Sequence, residues 1–288
     1  MKIKSFAKIN LGLEVIKKRE DNYHEIATLF QTINLYDVLE FLPARTPEIN
    51  LKGDDESIPW DKNNLIFKAA LFLKEEYPVN RGIEIIATKN IPSGKGLAGG
   101  SSNAAMTLYA LNKIWGLRLK KEELQELGKK LGADVPFFLE GGLCLGRGRG
   151  DEVSPLSDLP PLYCLLVFPP FAISTATIYG HLRLSLTSGL KDSKITQFLA
   201  NREFGFLENR LEETIFSLYP QVQEIKSFFQ SQGPELSLVS GSGSAVFGLF
   251  KDREKAEKGL KEFQKTFSAV LVETLSRESY WRRLSAGE

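Results

Sequence analysis

Pro92-Ser93-Gly94-Lys95-Gly96-Leu97-Ala98-Gly99-Gly100-Ser101-Ser102-Asn103-Ala104-Ala105 is the stretch that decides the fold. Glycines at this density weaken helix and strand interiors alike, so the run is neither. Before it, Ile83-Glu84-Ile85-Ile86-Ala87-Thr88 reads as a strand; after it, Ala104, Leu108, Leu111 and Trp115 recur at helical spacing. The run is therefore a strand-to-helix loop. Absent side chains let backbone N–H groups face inward, and the next helix adds the partial positive charge of its free amides. Together these make an anion site suited to a polyphosphate.

The spacing separates several kinds of phosphate loop. Gly-x-x-x-x-Gly-Lys-Ser/Thr is absent, which excludes the Walker type. Gly94, Gly96 and Gly99 satisfy Gly-x-Gly-x-x-Gly, but a dinucleotide site needs a second strand with an acidic end about twenty residues on. Here a second helical pattern follows instead, at Leu124, Leu127 and Leu131. No His-Arg-Asp or Asp-Phe-Gly follows, so the protein-kinase reading fails too. A flexible linker does not sit between an apolar strand and an Ala-rich helix.

The 288 residues, 42% hydrophobic and 25% charged, suit a globular chain of one large or two ordinary domains. Lys+Arg of 37 against Asp+Glu of 36 leaves no bias toward nucleic acid or membrane, so phosphate binding must be local. Cys144 and Cys164 lie in apolar surroundings without metal or redox spacing, as buried free thiols of a reducing compartment do. Neither a signal-peptide stretch nor a membrane-length apolar run is present, which predicts a cytoplasmic location.

Strand patterns at Ile3–Phe6, Leu11–Ile16, Val38–Phe41 and Ile83–Thr88 surround a helix at Leu65–Glu76. Pro155, Pro160 and Pro161 mark a break. Beyond it come a strand at Leu162–Phe168, helical patterns from about Glu208 to Phe229, and strands at Leu236–Val239 and Ala245–Phe250. A helix with Ala256, Leu260, Phe263 and Phe267 on one face and a strand at Val270–Glu273 complete the series. That order is the split βαβ of a ferredoxin-like domain. The expectation is α+β with two domains: residues 1–155, an N-terminal α/β domain carrying the glycine loop, and residues 156–288, a C-terminal ferredoxin-like domain. The tail from Tyr280 onward carries no usable pattern.

Several side chains have two readings. Asp134, in Leu131-Gly132-Ala133-Asp134-Val135-Pro136, either caps the next helix or serves as a general base in an apolar segment. Lys8, a lone cation between Ala7 and Ile9, is either solvated or a stabiliser of phosphoryl-transfer charge. The run Val239-Ser240-Gly241-Ser242-Gly243-Ser244-Ala245 is either a hairpin turn or a second backbone approach to a ligand. His24 and Tyr179 are either structural or ligand-facing.

Taken together, Ala7-Lys8-Ile9-Asn10-Leu11-Gly12, Asn22-Tyr23-His24-Glu25, Thr28-Leu29-Phe30-Gln31, Asn64-Leu65-Ile66, Gly99 to Ala105, Leu131 to Pro136, Ser174-Thr175 and Tyr179 resemble the GHMP kinases. That small-molecule kinase family includes galacto-, homoserine and mevalonate kinases, and the resemblance spans nearly the whole chain. It implies ATP as phosphoryl donor with Mg2+, and transfer to the 2-hydroxyl of 4-diphosphocytidyl-2-C-methyl-D-erythritol in the non-mevalonate isoprenoid precursor pathway. Mevalonate or homoserine is the alternative acceptor. The implied catalytic residues are Asp134 as base, assisted by Lys8. Implied ATP contacts are Asn64, Lys89, Pro92, Ser93, Gly94, Lys95, Gly96, Leu97, Ala98, Gly99, Gly100, Ser101, Ser102 and Asn103. Implied substrate contacts are Asn10, Tyr23, His24, Phe30, Thr175, Tyr179 and Gly241, with the two tyrosines as faces for cytosine and His24 as reader of its edge. No protein ligand for Mg2+ can be named, and a monomer or weak homodimer acting on small molecules, without nucleic acid or membrane, is expected. Ser93, Lys95 and Ala98 depart from residues common in the family's loop.

Overall fold

The computed structural model describes residues 1–182 and 193–284. The N-terminal half is built on two long antiparallel strands, β1 (Lys2–Lys18) and β2 (His24–Pro43). Ile3–Phe6 and Leu11–Ile16 are thus parts of one strand. Lys8 and Asn10 interrupt the apolar pattern but not the ladder. Register shifts after Phe6, Asn10 and Val15 bend the pair, as extra residues in one strand do. The same bend lets β2 hold different partners along its length. Its residues Thr28–Gln31 pair with β5 (Leu143–Arg147), and Val38–Pro43 pair with β4 (Ile83–Thr88). β3 (Ile49–Gly53) runs parallel to β4, and β6 (Glu152–Pro155) edges β5.

Side chains on the two faces of this sheet enter different cores. Phe6, Phe30, Leu39 and Phe41 pack under the helices α1 (Leu65–Glu76), α2 (Gly99–Trp115), α3 (Lys121–Leu131) and the short α4 (Val135–Phe138). Ala7, Ile9, Ala27, Leu29 and Ile33 pack instead against a second sheet. That sheet holds β7 (Tyr163–Phe168), β8 (Leu236–Val239), β9 (Val246–Phe250) and β10 (Ser268–Glu273) in the order β10-β7-β9-β8, antiparallel throughout. This is the ferredoxin-like order the sequence predicts. Its outer face is covered by α7 (Glu212–Leu218), α8 (Pro220–Ser231) and α9 (Arg253–Phe263).

Smaller elements connect these layers. α5 (Thr175–His181) and α6 (Lys194–Asn201) lie between β7 and α7. The helical pattern from Glu208 is two helices, because Pro220 opens α8 and Tyr219 before it takes φ −136° and ψ 73°, outside the helical region. The last helix, α10 (Arg277–Arg282), does not stay with the second sheet. Leu275, Tyr280 and Leu284 are buried in the core beneath α2, so residues 156–288 contribute a helix to the first half. Residues 285–288 of the tail lie outside the described residues. Cys144 and Cys164 are free and buried, and burial pushes the Cys144 thiol up to about 12.

Candidate active site

The glycine run joins β4 to α2 as expected, but its second half, from Gly99, is already helix rather than loop, and three residues before it carry the turn. Gly94, Ala98 and Gly96 have φ of 67°, 55° and 75°. At Gly96 the demand is doubled, since a Cβ there would lie 2.0 Å from the Ser240 carbonyl. The second glycine cluster, the turn joining β8 to β9, thus packs directly on the first. Ser240 Oγ donates to the Gly96 carbonyl at 3.0 Å, and the Ala245 amide donates to the Lys95 carbonyl at 3.2 Å. The cluster is both hairpin turn and cleft wall. Amides from Gly96 to Ser101 find no hydrogen-bond acceptor among the described residues, and those from Ala98 onward are the orphan donors with which α2 begins. They form one wall of a cleft of about 1090 Å³ between the two halves.

Lys8, on β1 and only 4% exposed, lines this cleft. Its ammonium donates to Asn10 Oδ1 at 2.6 Å and to the Gly96 carbonyl at 2.9 Å. Asn10 in turn donates to Thr28 Oγ1, and Thr28 to the Gly12 carbonyl, both at 2.7 Å. This chain fixes the lysine's direction. Asp134 Oδ2 lies 3.7 Å from Lys8 Nζ, an ion pair too long for a hydrogen bond. Burial lowers the Lys8 pKa, and the Asp134 charge opposes that shift without cancelling it. Asp134 occupies the N-cap position of α4 but accepts no capping hydrogen bond. Of its two sequence readings, the cap is therefore excluded. Its side chain, 31% exposed, faces the cleft beside Lys8.

The two ends of the cleft differ. On one side, Trp60, Pro59, Leu65 and Ile91 make an apolar wall beside the glycine loop. Asn64 secures that wall: it caps α1 through the Ile66 amide at 2.9 Å and donates to the Pro59 carbonyl at 2.9 Å. At the other end, His24 and Tyr179 stack, with ring centroids 5.0 Å apart and planes at 29°. Burial, with a smaller contribution from Asp134, raises the Tyr179 hydroxyl pKa, while burial and Lys18 lower that of His24. Tyr23 is 55% exposed and lies under the Arg149 guanidinium, 5.0 Å away. The ring opposite Tyr179 is therefore His24, not Tyr23. This arrangement differs from the expected pair of tyrosine faces, because Tyr23 sits in the turn before β2 and His24 begins the strand.

Every residue assigned from sequence lines this cleft except Ser102. Ser102 is wholly buried, its hydroxyl donating to the Phe6 carbonyl at 2.6 Å. Three others reach the cleft wall with their polar groups already engaged. Lys95 Nζ donates to the carbonyls of Pro169 and Phe171, each at 2.6 Å. Lys89 is paired with Asp37 and donates to Asn103 at 2.9 Å. Asn103 donates to Ser5 and Asp37. Thr175 and Gly241 lie on the second half's side of the cleft: the Thr175 hydroxyl is 2.7 Å from that of Ser242, and a Cβ on Gly241 would lie 3.1 Å from Asn10 Oδ1. Trp60, Asp37 and Arg149 are absent from the sequence assignment. An acid inside the strand pattern Tyr36-Asp37-Val38 was the available signal for Asp37.

Residues 64–142 match the family model for the GHMP kinases N terminal domain, and residues 195–269 match that for GHMP kinases C terminal. A relative from Syntrophus aciditrophicus named 4-diphosphocytidyl-2-C-methyl-D-erythritol kinase is 43% identical over 90% of this chain and 92% of its own. The chain belongs to the GHMP kinase family. A second relative of that name, from Clostridioides difficile, is 37% identical over 96% of both chains. A crystal structure of 4-(cytidine 5'-diphospho)-2C-methyl-D-erythritol kinase superposes with TM-score 0.82 at 34% identity, covering 95% of this chain and 99% of that one. Homoserine kinase from Cytophaga hutchinsonii shares the fold, with TM-score 0.74 at 19% identity over 96% of this chain and 94% of its own. This GHMP kinase is a small-molecule phosphotransferase.

Proposed function

We propose that this GHMP kinase transfers the γ-phosphoryl group of ATP to the 2-hydroxyl of 4-diphosphocytidyl-2-C-methyl-D-erythritol, a step of the non-mevalonate isoprenoid precursor pathway. One observation carries the reading. The Lys8–Asp134 pair lines one cleft with the amides of Gly96 to Ser101, which are unpartnered among the described residues, and with a stacked aromatic pair, so an anion and a flat base can flank one reacting centre. The names of relatives matched over more than nine-tenths of their length support the same acceptor.

ATP would rest its adenine against Trp60 and Ile91 and its phosphates on the amides of Gly96 to Ser101, where backbone N–H groups and the start of α2 favour negative charge. The acceptor hydroxyl attacks the γ-phosphorus while the bond to the β–γ bridging oxygen breaks and ADP leaves. Asp134 takes the hydroxyl proton. Lys8, buried and held by Asn10 and Gly96, offsets charge on the transferring group. Cytosine would pack on Tyr179 and His24, with Asn10, Thr175 and Phe30 toward the sugar-alcohol end.

Mg2+ bound here would neutralise the β- and γ-phosphates. Among the described residues no three acidic, imidazole or thiol groups converge on a metal position. The site fits an ion that keeps phosphate and water ligands and takes one or two protein oxygens. Ser101, a cleft-lining residue at the start of α2, would offer its hydroxyl as such an oxygen.

The test is ADP production from ATP and Mg2+ with a panel of acceptors. 4-diphosphocytidyl-2-C-methyl-D-erythritol should turn over while mevalonate and homoserine, which carry no base to stack, stay at background. Turnover of mevalonate or homoserine instead would reassign the acceptor. Failure of every acceptor in a chain that binds ADP would leave a nucleotide-binding module.

A further inference from the structure

Both ends of the phosphate loop hang on one carboxylate outside the reacting centre. Asp37, on β2, is 0% exposed. Its Oδ1 accepts the amides of Asn90 and Ile91 at 2.8 and 2.9 Å, where the chain leaves β4 for the loop. Its Oδ2 accepts Asn103 Nδ2 at 3.0 Å, just inside α2 where the loop ends, and pairs with Lys89. Four donors thus converge on two oxygens, an arrangement only an acceptor-only group satisfies. The same Asn103 amide donates to Ser5 Oγ at 2.9 Å, three residues before Lys8 on β1.

We propose that Asp37 is a positioning residue for nucleotide binding: it fixes the two ends of the loop so that the amides of Gly96 to Ser101 converge before the phosphates arrive. The inference rests on the reading of those amides as the phosphate site. A loop rich in glycine samples many shapes, and a ligand that binds one of them is weakened by the fraction of time that shape is absent. Asparagine at position 37 keeps one acceptor for Asn90 and Ile91 but turns a donor toward Lys89 and Asn103. The α2 end of the loop is then released while the β4 end stays held.

The test compares wild type, Asp37→Asn and Asp37→Asn/Lys89→Met, the double variant removing the cation that the single one strands. ADP affinity by calorimetry and both Michaelis constants are read. If the competent loop shape falls to about a tenth of the population, the ADP dissociation constant and the KM for ATP rise about tenfold. The KM for the second substrate stays within about twofold, a split that a general loss of stability does not produce. A folded variant that binds ADP like wild type, or one that shifts both Michaelis constants equally, overturns the inference. A wild-type chain that does not bind ADP overturns the phosphate-site reading itself. Hydrogen exchange on the unsubstituted chain gives a check that needs no variant. Without nucleotide, the Asn90 and Ile91 amides should exchange as slowly as the β2 ladder, while those of Gly96 to Ser101 exchange fast until ADP is added. Fast exchange at Asn90 and Ile91 would overturn the clamp.

Discussion

Lys8 holds its charge in a nearly buried position, and the cost shows in its titration. Burial lowers its pKa from 10.5 more than Asp134 raises it. The unfolded chain therefore binds the proton more tightly than the folded one between the lowered value and 10.5. The destabilising contribution is complete below the folded pKa and fades as pH rises toward 10.5. Lys8→Met should accordingly lose activity yet melt no lower than wild type at neutral pH, and any advantage in melting should shrink toward pH 10.5. A variant that melts lower at neutral pH would mean that the ammonium's contacts to Asn10 and Gly96 outweigh its burial. At the His24–Tyr179 end of the cleft, base stacking contributes about 1–3 kcal/mol per base on alanine substitution. Tyr179→Ala should raise the KM for the cytidine substrate about 5- to 150-fold while sparing that for ATP. Tyr23→Ala, whose ring is 55% exposed, should shift it less. Loss of ATP affinity in Tyr179→Ala would move the aromatic pair to the adenine. A uridine analogue, which replaces the cytosine amino donor by a carbonyl, should be a poor substrate.

At the scale of elements, the loop and the two glycine clusters act as one unit, and glycines test it. Gly116, at the C-terminus of α2, has φ 70° with nothing within 4 Å of a Cβ, so Gly116→Ala should cost only the left-handed penalty of about 1–2 kcal/mol. Gly96→Ala adds contact with the Ser240 carbonyl to the same penalty. It should melt lower than Gly116→Ala and weaken ADP binding as well; equal melts would mean the clusters part easily. Gly99 is a different case. Its φ is not left-handed, and a valine there would press on Ile91 Cγ2, 2.9 Å from the Cβ position. The loop, α1, α2 and the strands of the second sheet were legible because their patterns are local. β1 was legible only in pieces, since Lys8 and Asn10 serve the cleft at positions where a strand buried on both faces would carry apolar residues. β5 and β6 were not, because Gly146, Gly148 and Gly150 make Leu143–Pro155 read as loop. Gly146 is required there, a Cβ lying 2.5 Å from the Phe30 ring.

Over the whole molecule, chemistry depends on contacts no local pattern reveals. Ser240 and Gly96 meet across 144 residues of chain, and Lys8 meets Gly96 across 88. The C-terminal helix is another long return. Tyr280, fully buried, donates to the Phe138 carbonyl at 2.5 Å, and Trp281 donates to the Glu140 carbonyl at 2.9 Å. Both contacts hold the segment that follows Asp134. Tyr280→Ala should destabilise the chain by about 3–5 kcal/mol, the cost of an emptied aromatic site. A change under about 1 kcal/mol in a urea melt, the range of surface substitutions, would detach this helix from the core. The central claim concerns Asp134, whose carboxylate caps nothing and faces Lys8. Single turnover of Asp134→Asn with ATP, Mg2+ and 4-diphosphocytidyl-2-C-methyl-D-erythritol tests it most directly. The account predicts chemistry slowed about 10²–10⁴-fold, as for loss of a general base, with ADP affinity unchanged. Wild-type single-turnover rates in that variant would contradict it.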